Sequence, residues 1–162
     1  MQPVSPRVVA LLNDALTLEL TAVNTYFLHA RMLDNWGFHR LGKVLYDLSI
    51  EEMRDADDLI ERILFFDGHP NVQRLNPIEV GETPEEVLRL GRESERAAVT
   101  QFNEGARECH DLGDHGTAAV FEGMVRDEEK HVDWFESQLD AVDRIGAAQY
   151  LAQQIDPGES PT

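Results

Sequence analysis

Residues 67–82, DGHPNVQRLNPIEVGE, separate two pairs of long helical patterns in this chain. The segment starts with glycine and proline breakers and has no helical period of apolar residues, so we predict an extended connection. Unstructured connections of 16 residues are uncommon inside a domain. This one is long enough to run the length of a helical bundle, which would make the second and third helices parallel. The prediction is an all-α, up-down-down-up four-helix bundle with one long crossover connection.

Boundary signals divide the rest of the chain into four long helices and a short one. Ser5 can cap a helix that has Pro6 in its first turn, and Thr83 can form a capping box with Glu86. Each long helix has about 30 residues and a length on the order of 45 Å. The predicted single domain, 1–162, has long helices at 5–35, 39–66, 83–111 and 115–144, a short C-terminal fifth helix at 147–154 and a disordered tail at 156–162.

Composition excludes several classes of function. The chain has 31 acidic and 14 basic residues, a formal net charge of −17, so a phosphate backbone would be repelled and neither a nucleic-acid partner nor a polybasic membrane anchor is expected. No apolar run approaches 18 residues, which argues against a membrane span. The N-terminus lacks the pattern of a secretory signal, and the lone Cys109 fits a reducing compartment, so the expected location is the cytoplasm. Acidity also suits a cation binder, but equally any soluble surface.

Each long helix carries an apolar stripe at steps of three to four residues, and a carboxylate interrupts every stripe near its middle. An unpaired carboxylate in a protein core costs several kcal/mol, so such groups must be protonated, paired with bases or neutralised by cations. Bases are scarce on these stripes, which favours cations. The alternative places each acid at a helix edge, in water or beside Arg62 or Arg126. The interrupting residues are Glu19, Glu52, Glu95 and Glu128. Asp55 follows Glu52 by three positions, and His131 follows Glu128 by three positions.

The spacing of these residues indicates a two-metal centre. Residues three apart project from the same face of a helix, so Glu52 with Asp55, and Glu128 with His131, can bind one unit together. A glutamate from each of two helices and Glu-x-x-His from the other two is the ligand pattern of di-iron carboxylate bundles. Oxygen ligands with an imidazole suit iron or manganese better than a metal that prefers thiolates.

Five strings resemble the bacterioferritin family across nearly the whole chain. They are ELTAVNTYFLHARM (19–32), DNWG (34–37), SIEEM (49–53), IERIL (60–64) and DEEKHVDW (127–134). The resemblance implies a ferritin-like bundle and self-assembly into a 24-subunit shell. It also implies a ferroxidase that oxidises Fe(II) with O2 or peroxide, storage of the ferric mineral, and haem b between two-fold related subunits. A ferredoxin-type electron donor for iron release is a further possible partner.

The resemblance also assigns roles to residues. It makes Glu19, Glu52, Glu95, Glu128 and His131 the iron ligands, with Glu52 and Glu128 bridging and the other two glutamates terminal. Tyr26 lies on the stripe of Glu19, where it either hydrogen-bonds the centre or uses its hydroxyl locally. Met53 becomes the axial haem ligand, although its spacing alone indicates ordinary interface packing.

One position departs from the family pattern. The family has histidine where this chain has Asp55. A carboxylate oxygen reaches about as far as the imidazole Nδ1, so Asp55 remains a predicted metal ligand, but the centre becomes about one unit more negative. The alternative is a degenerate centre in a haem-bearing electron-transfer subunit of a mixed shell. A peroxidase of the rubrerythrin kind usually adds a Cys-rich module, which one cysteine cannot build.

Overall fold

A computed structural model describes residues 1–156, and within them all regular structure is helical. The helices are α1 (Pro6–Asn35), α2 (His39–Phe65), α3 (Pro84–Asp111), α4 (His115–Ile145) and α5 (Ala147–Ala152). The fifth helix ends two residues before its expected end. The expected disordered tail lies, from residue 157 onward, outside the described residues. No helix among residues 1–156 is both long enough and apolar enough to cross a membrane.

Two separate apolar clusters show the directions of the helices. One cluster combines the start of α1, the end of α2, the end of α3 and the start of α4, for example Leu12, Ile63, Phe102 and Phe121. The other contains the opposite ends of the same helices together with α5. Helices α1 and α4 therefore run one way and α2 and α3 the other, which confirms the up-down-down-up bundle.

The crossover after α2 runs along α1. The backbone N–H of Asn71 donates to Asn13 Oδ1 at 2.7 Å, and Arg74 donates through Nε to Thr17 Oγ1 at 2.7 Å. Farther on, the N–H of Gly81 donates to His29 Nε2 at 3.0 Å. Asn13 and His29 are 16 positions apart, about 24 Å along the helix axis. These contacts hold a segment without regular structure along the bundle, as the sequence indicated.

Side-chain caps begin α1 and α3 where the sequence predicts them. The Ser5 hydroxyl accepts from the N–H of Arg7, and the Thr83 hydroxyl accepts from the N–H of Glu86. The Glu86 carboxylate, however, accepts from the N–H of Glu82 at 2.8 Å, one residue before the partner that a capping box predicts.

Helices α3 and α4 approach each other closely at Gly91. A Cβ atom added to this glycine of α3 would lie 2.4 Å from ring carbons of the fully buried Phe135 of α4. Only a residue without a side chain lets the aromatic ring pack against the backbone there.

Candidate metal centre

The four interrupting glutamates converge between the two apolar clusters. Glu19, Glu52, Glu95 and Glu128 each come from a different long helix, and none is more than 2% exposed. The periodic apolar stripes explain this position, because each stripe faces the bundle axis and the acids interrupt the stripes at matching depths. An acidic layer therefore separates the two cores, and the predicted alternative with solvated glutamates is wrong for the four of them.

The site residues form two overlapping sets of donor atoms. In each set the donor atoms all lie within 4.8 Å of one another. Glu52 and Glu128 belong to both sets, so their carboxylates lie between two possible ion positions. The first set adds Glu95 and His131, and the second adds Glu19 and Asp55.

His131 lies at the centre of the first set. Its Nδ1 is 3.2 Å from Glu52 Oε1 and from Glu128 Oε2. Its Nε2 is 3.1 Å from Oε2 of Glu51, which is otherwise an exposed residue. A ligand histidine usually donates its second ring N–H to a carboxylate, which fixes the tautomer and the ring orientation. Glu51 thus has the position of a residue that orients His131.

Tyr26 contacts the centre directly. It is fully buried, and its hydroxyl donates to Glu95 Oε1. Burial, together with the nearby Glu95 and Glu52 charges, raises the pKa of Tyr26 well above its usual value, so the phenol keeps its proton. Of the two sequence alternatives for this tyrosine, the geometry corresponds to a hydrogen bond to the centre.

The pKa values of the site reflect burial and mutual repulsion. Burial raises the pKa of Glu128 to about 8, and burial with the charge of Glu52 raises that of Glu19 well above normal. The same two causes raise the pKa of Asp55 to about 7. Burial alone would lower the pKa of His131, but the adjacent carboxylates of Glu128, Glu52 and Glu95 raise it. Without a cation, the site therefore retains protons near neutral pH.

Several site atoms lack a hydrogen bond. Three buried carboxylate oxygens, the Oε1 atoms of Glu19, Glu52 and Glu128, accept none, although Glu52 Oε1 lies 3.2 Å from His131 Nδ1. Across residues 1–156, no lysine or arginine forms an ion pair with the site acids. Arg62, proposed above as a neutralising base, instead pairs with Asp114 at 3.2 Å. A buried, unpartnered carboxylate oxygen is costly unless a cation binds it.

The centre opens toward the α2–α4 side of the bundle. A cavity of about 340 Å³ there is lined by Asp55, His131, Glu51 and Asp127, among others. On the α1–α3 side only a cleft of about 10 Å³ borders the glutamates. Asp55 is the one predicted metal ligand that is only half-buried, and it lines this cavity.

Met53 lies apart from the acidic layer. It is 50% exposed on the outer face of α2, although Glu52 beside it is buried. Phe27 and Tyr46 are also exposed, and their ring centroids are 6.1 Å apart. Clustered exposed apolar residues mark interaction surfaces.

Sequence reasoning missed two residues. It gave no role to His29, which is completely buried and accepts the crossover hydrogen bond of Gly81. Its position three residues after Tyr26 on α1 could have placed it in the core. The contact of Glu51 with His131 had no such signal, because it depends on the relative rotation of α2 and α4.

Comparisons with known proteins agree with this geometry. A family model described as the ferritin-like domain matches residues 9–145. A bacterioferritin of Brucella melitensis biotype 1 is 45% identical over 145 residues, 90% of each chain. A bacterioferritin of Mycolicibacterium paratuberculosis is 43% identical over 93% of this chain and 94% of its own. The solved structure of Mycobacterium tuberculosis bacterioferritin, BfrA, has a TM-score of 0.95 at 39% identity and covers 99% of this chain and 100% of its own.

Proposed function

Because this chain belongs to the bacterioferritins, within the ferritin-like domain family, we propose that it stores iron and oxidises Fe(II) before storage. The substrates are Fe(II) and O2, or peroxide in place of O2. With O2 the balanced reaction is 4 Fe²⁺ + O2 + 6 H2O → 4 FeOOH + 8 H⁺. The observation that carries the proposal is the pair of donor sets sharing Glu52 and Glu128 inside an apolar bundle.

The residues present fit two iron ions. The three carboxylate oxygens without a hydrogen bond supply acceptors that a pair of cations would satisfy, and oxygen donors with one imidazole suit iron. In this proposal both ions would share Glu52 and Glu128, Glu95 and His131 would hold one of them, and Glu19 and Asp55 would hold the other. When bound, the ions would supply the electrons that reduce O2 or peroxide.

The protein's own groups orient the centre and handle protons. The Tyr26 hydroxyl donates to Glu95 and fixes the direction of that carboxylate, while Glu51 orients His131 through Nε2. Metal binding displaces the protons that burial retains on Glu128 and Asp55. The cavity between α2 and α4 provides a path for iron and protons that passes Asp55.

Asp55 gives this chain a more negative centre than its family pattern. An additional carboxylate stabilises Fe(III) relative to Fe(II), lowers the reduction potential and slows the release of oxidised iron. Asp55→His is expected to raise the potential and to speed reductive iron release. Equal release rates in the variant and the parent would contradict this role.

We also propose assembly into a 24-subunit shell in the cytoplasm that binds haem b between two-fold related subunits. The exposed thioether of Met53, two helical turns from the exposed Tyr46 on the same face of α2, fits an axial ligand in an interface. Twenty-four chains with a net charge of −17 each would carry about −400 in total, which attracts Fe(II) from solution. A ferredoxin-type protein would supply electrons for release.

Stopped-flow oxidation of the metal-free protein tests the ferroxidase. A fast phase that saturates at two Fe(II) per chain is expected in the parent. Glu128→Gln is expected to abolish this phase, whereas the exposed neighbour variant Glu129→Gln keeps it. A fast phase that survives in Glu128→Gln would refute the assignment.

The substitution at Asp55 favours a second candidate, in which this chain is the haem-bearing electron-transfer subunit of a mixed shell. The candidate predicts no fast phase in the pure homopolymer, with haem still bound. Restoration of the fast phase by Asp55→His would support it, and a full fast phase in the parent would exclude it.

A further inference from the structure

A histidine pair lies on the surface where α3 turns into α4. His110 is in the last turn of α3 and His115 is the first residue of α4, and both are exposed. Their Nδ1 atoms are 3.1 Å apart. His115 precedes Glu128 by 13 positions in α4, about 20 Å along the axis, so the pair is remote from the carboxylate centre.

The backbone beneath the pair is held firmly. Gly113 adopts a φ of +80°, which reverses the chain between the two histidines. The Asp114 N–H donates to the carbonyl of Cys109 at 2.8 Å. The Asp114 carboxylate accepts from the N–H of Thr117 at 2.9 Å and from Arg62 at 3.2 Å. The two imidazoles are therefore brought together by a fixed turn.

A carboxylate determines which nitrogen of His110 carries the proton. Glu122, two turns into α4, has Oε1 2.8 Å from His110 Nε2. An ionised carboxylate only accepts, so Nε2 is the N–H and a neutral His110 has its lone pair on Nδ1. That lone pair is directed at His115 Nδ1. A carboxylate on the far nitrogen of an imidazole is the usual support of a metal-ligating histidine.

We propose that His110 and His115 bind a late first-row divalent ion, of the Cu²⁺ or Zn²⁺ class, through their Nδ1 atoms, with Glu122 orienting His110. Two nitrogens bound at right angles to one ion, as in tetragonal Cu²⁺, each at about 2.1 Å, would be about 3.0 Å apart, and at the tetrahedral angle of Zn²⁺ about 3.4 Å. The observed separation of 3.1 Å lies between these values and nearer to that of Cu²⁺. Imidazole donors suit these metals, and affinity rises toward Cu²⁺ along the first row. Water completes the coordination. The site does not depend on the iron centre.

Electron paramagnetic resonance of the full-length, metal-free protein during Cu²⁺ titration tests this site. As Cu²⁺ is added up to three equivalents per chain, we expect the spectrum to contain a Cu²⁺ component that is coupled to two imidazole nitrogens. This component should account for one copper ion per chain. The carboxylate centre has a single histidine and would give one nitrogen at most. The measurement needs no variant, and the absence of a two-nitrogen component at every ratio would overturn the proposal.

Variants assign the signal to residues. His115→Gln is expected to remove the two-nitrogen component, whereas His39→Gln, at an exposed histidine at the start of α2, leaves it unchanged. Glu122→Ala is expected to weaken Cu²⁺ binding at this site about 10- to 100-fold. The exposed control Glu129→Ala is expected to leave the affinity for Cu²⁺ unchanged. A two-nitrogen signal that survives in His115→Gln, or unchanged affinity in Glu122→Ala, would contradict the assignment.

Discussion

Metal-free protein is expected to become less stable as the pH rises from about 5 to about 8, the reverse of ordinary acid denaturation. The principal group is Glu128, whose pKa burial raises from 4.5 to about 8. Between these two values the folded chain binds more protons at this residue than the unfolded chain does. The free energy of unfolding therefore falls as the pH rises through this range. The raised pKa values of Glu19, Asp55 and His131 act in the same direction.

The pKa shift of Glu128 sets the size of the effect. At pH 7 Glu128 is ionised in the unfolded chain but mostly protonated in the folded one, and this difference lowers the free energy of unfolding by about 3 kcal/mol. At pH 5 the same difference lowers it by about 1 kcal/mol. Glu128→Gln keeps the shape and an acceptor for His131 but cannot ionise. The variant is therefore expected to be about 3 kcal/mol more stable than the parent at pH 7, or about 6 to 12 °C in Tm.

Thermal denaturation of the assembled protein measures this difference. The parent, Glu128→Gln and the exposed control Glu129→Gln are compared at pH 5 and pH 7, metal-free and with Zn²⁺ as a redox-inert probe. Added metal is expected to stabilise the parent more at pH 7 than at pH 5, because binding displaces protons. Glu128→Gln is expected to lose most of that gain while being the most stable of the three without metal.

Two outcomes would refute this reasoning. One is a Tm difference between Glu128→Gln and Glu129→Gln that is the same at both pH values. The other is a metal-free parent whose Tm rises with pH through this range. Either outcome would mean that Glu128 is ionised in the folded protein without a cation, in conflict with its burial.

Two further predictions concern positioning and packing. Glu51→Ala is expected to weaken binding of Fe(II) at the carboxylate centre about 10-fold with the helix content unchanged, because His131 loses its orienting carboxylate. Competition with a chelating dye measures the affinity for Fe(II), and an unchanged affinity would contradict this role of Glu51. Gly91→Ala places a Cβ atom 2.4 Å from the Phe135 ring and is expected to cost about 1 to 3 kcal/mol of stability. Gly123→Ala, whose new atom would meet only the Arg126 guanidinium at an ordinary contact distance of 3.9 Å, is expected to raise the Tm instead. Equal effects of the two substitutions in thermal melts would show that the close approach at Gly91 carries no cost.

The bundle and the depth of the acids were predictable because both follow from helical periodicity. Steps of three and four residues fix which face of a helix is apolar, and an acid at mid-stripe lies on that face whatever the partner helix is. The crossover was predictable from its length and its lack of periodicity. Its hydrogen-bond partners, such as Thr17 for Arg74, were not, because they depend on how an irregular segment lies against α1.

The finer arrangement of the centre depends on tertiary geometry. The half-burial of Asp55 results from the cavity between α2 and α4, which no single-helix pattern encodes. The contact of Glu51 with His131 needs the rotation of both helices about their axes. The burial of His29 was not predicted, because a histidine on the edge of an apolar stripe gives by itself no signal of whether it faces the core.

The acidic layer divides the apolar interior of the bundle, and this division has a consequence for how the sequence can change. Packing around Phe102 is not continuous with packing around Leu45, because carboxyl side chains rather than methyl groups lie between them. Core substitutions at the two ends are therefore expected to contribute additively to stability. The apolar residues of each cluster can therefore change independently of the other cluster, while the glutamates of the acidic layer between them stay constant.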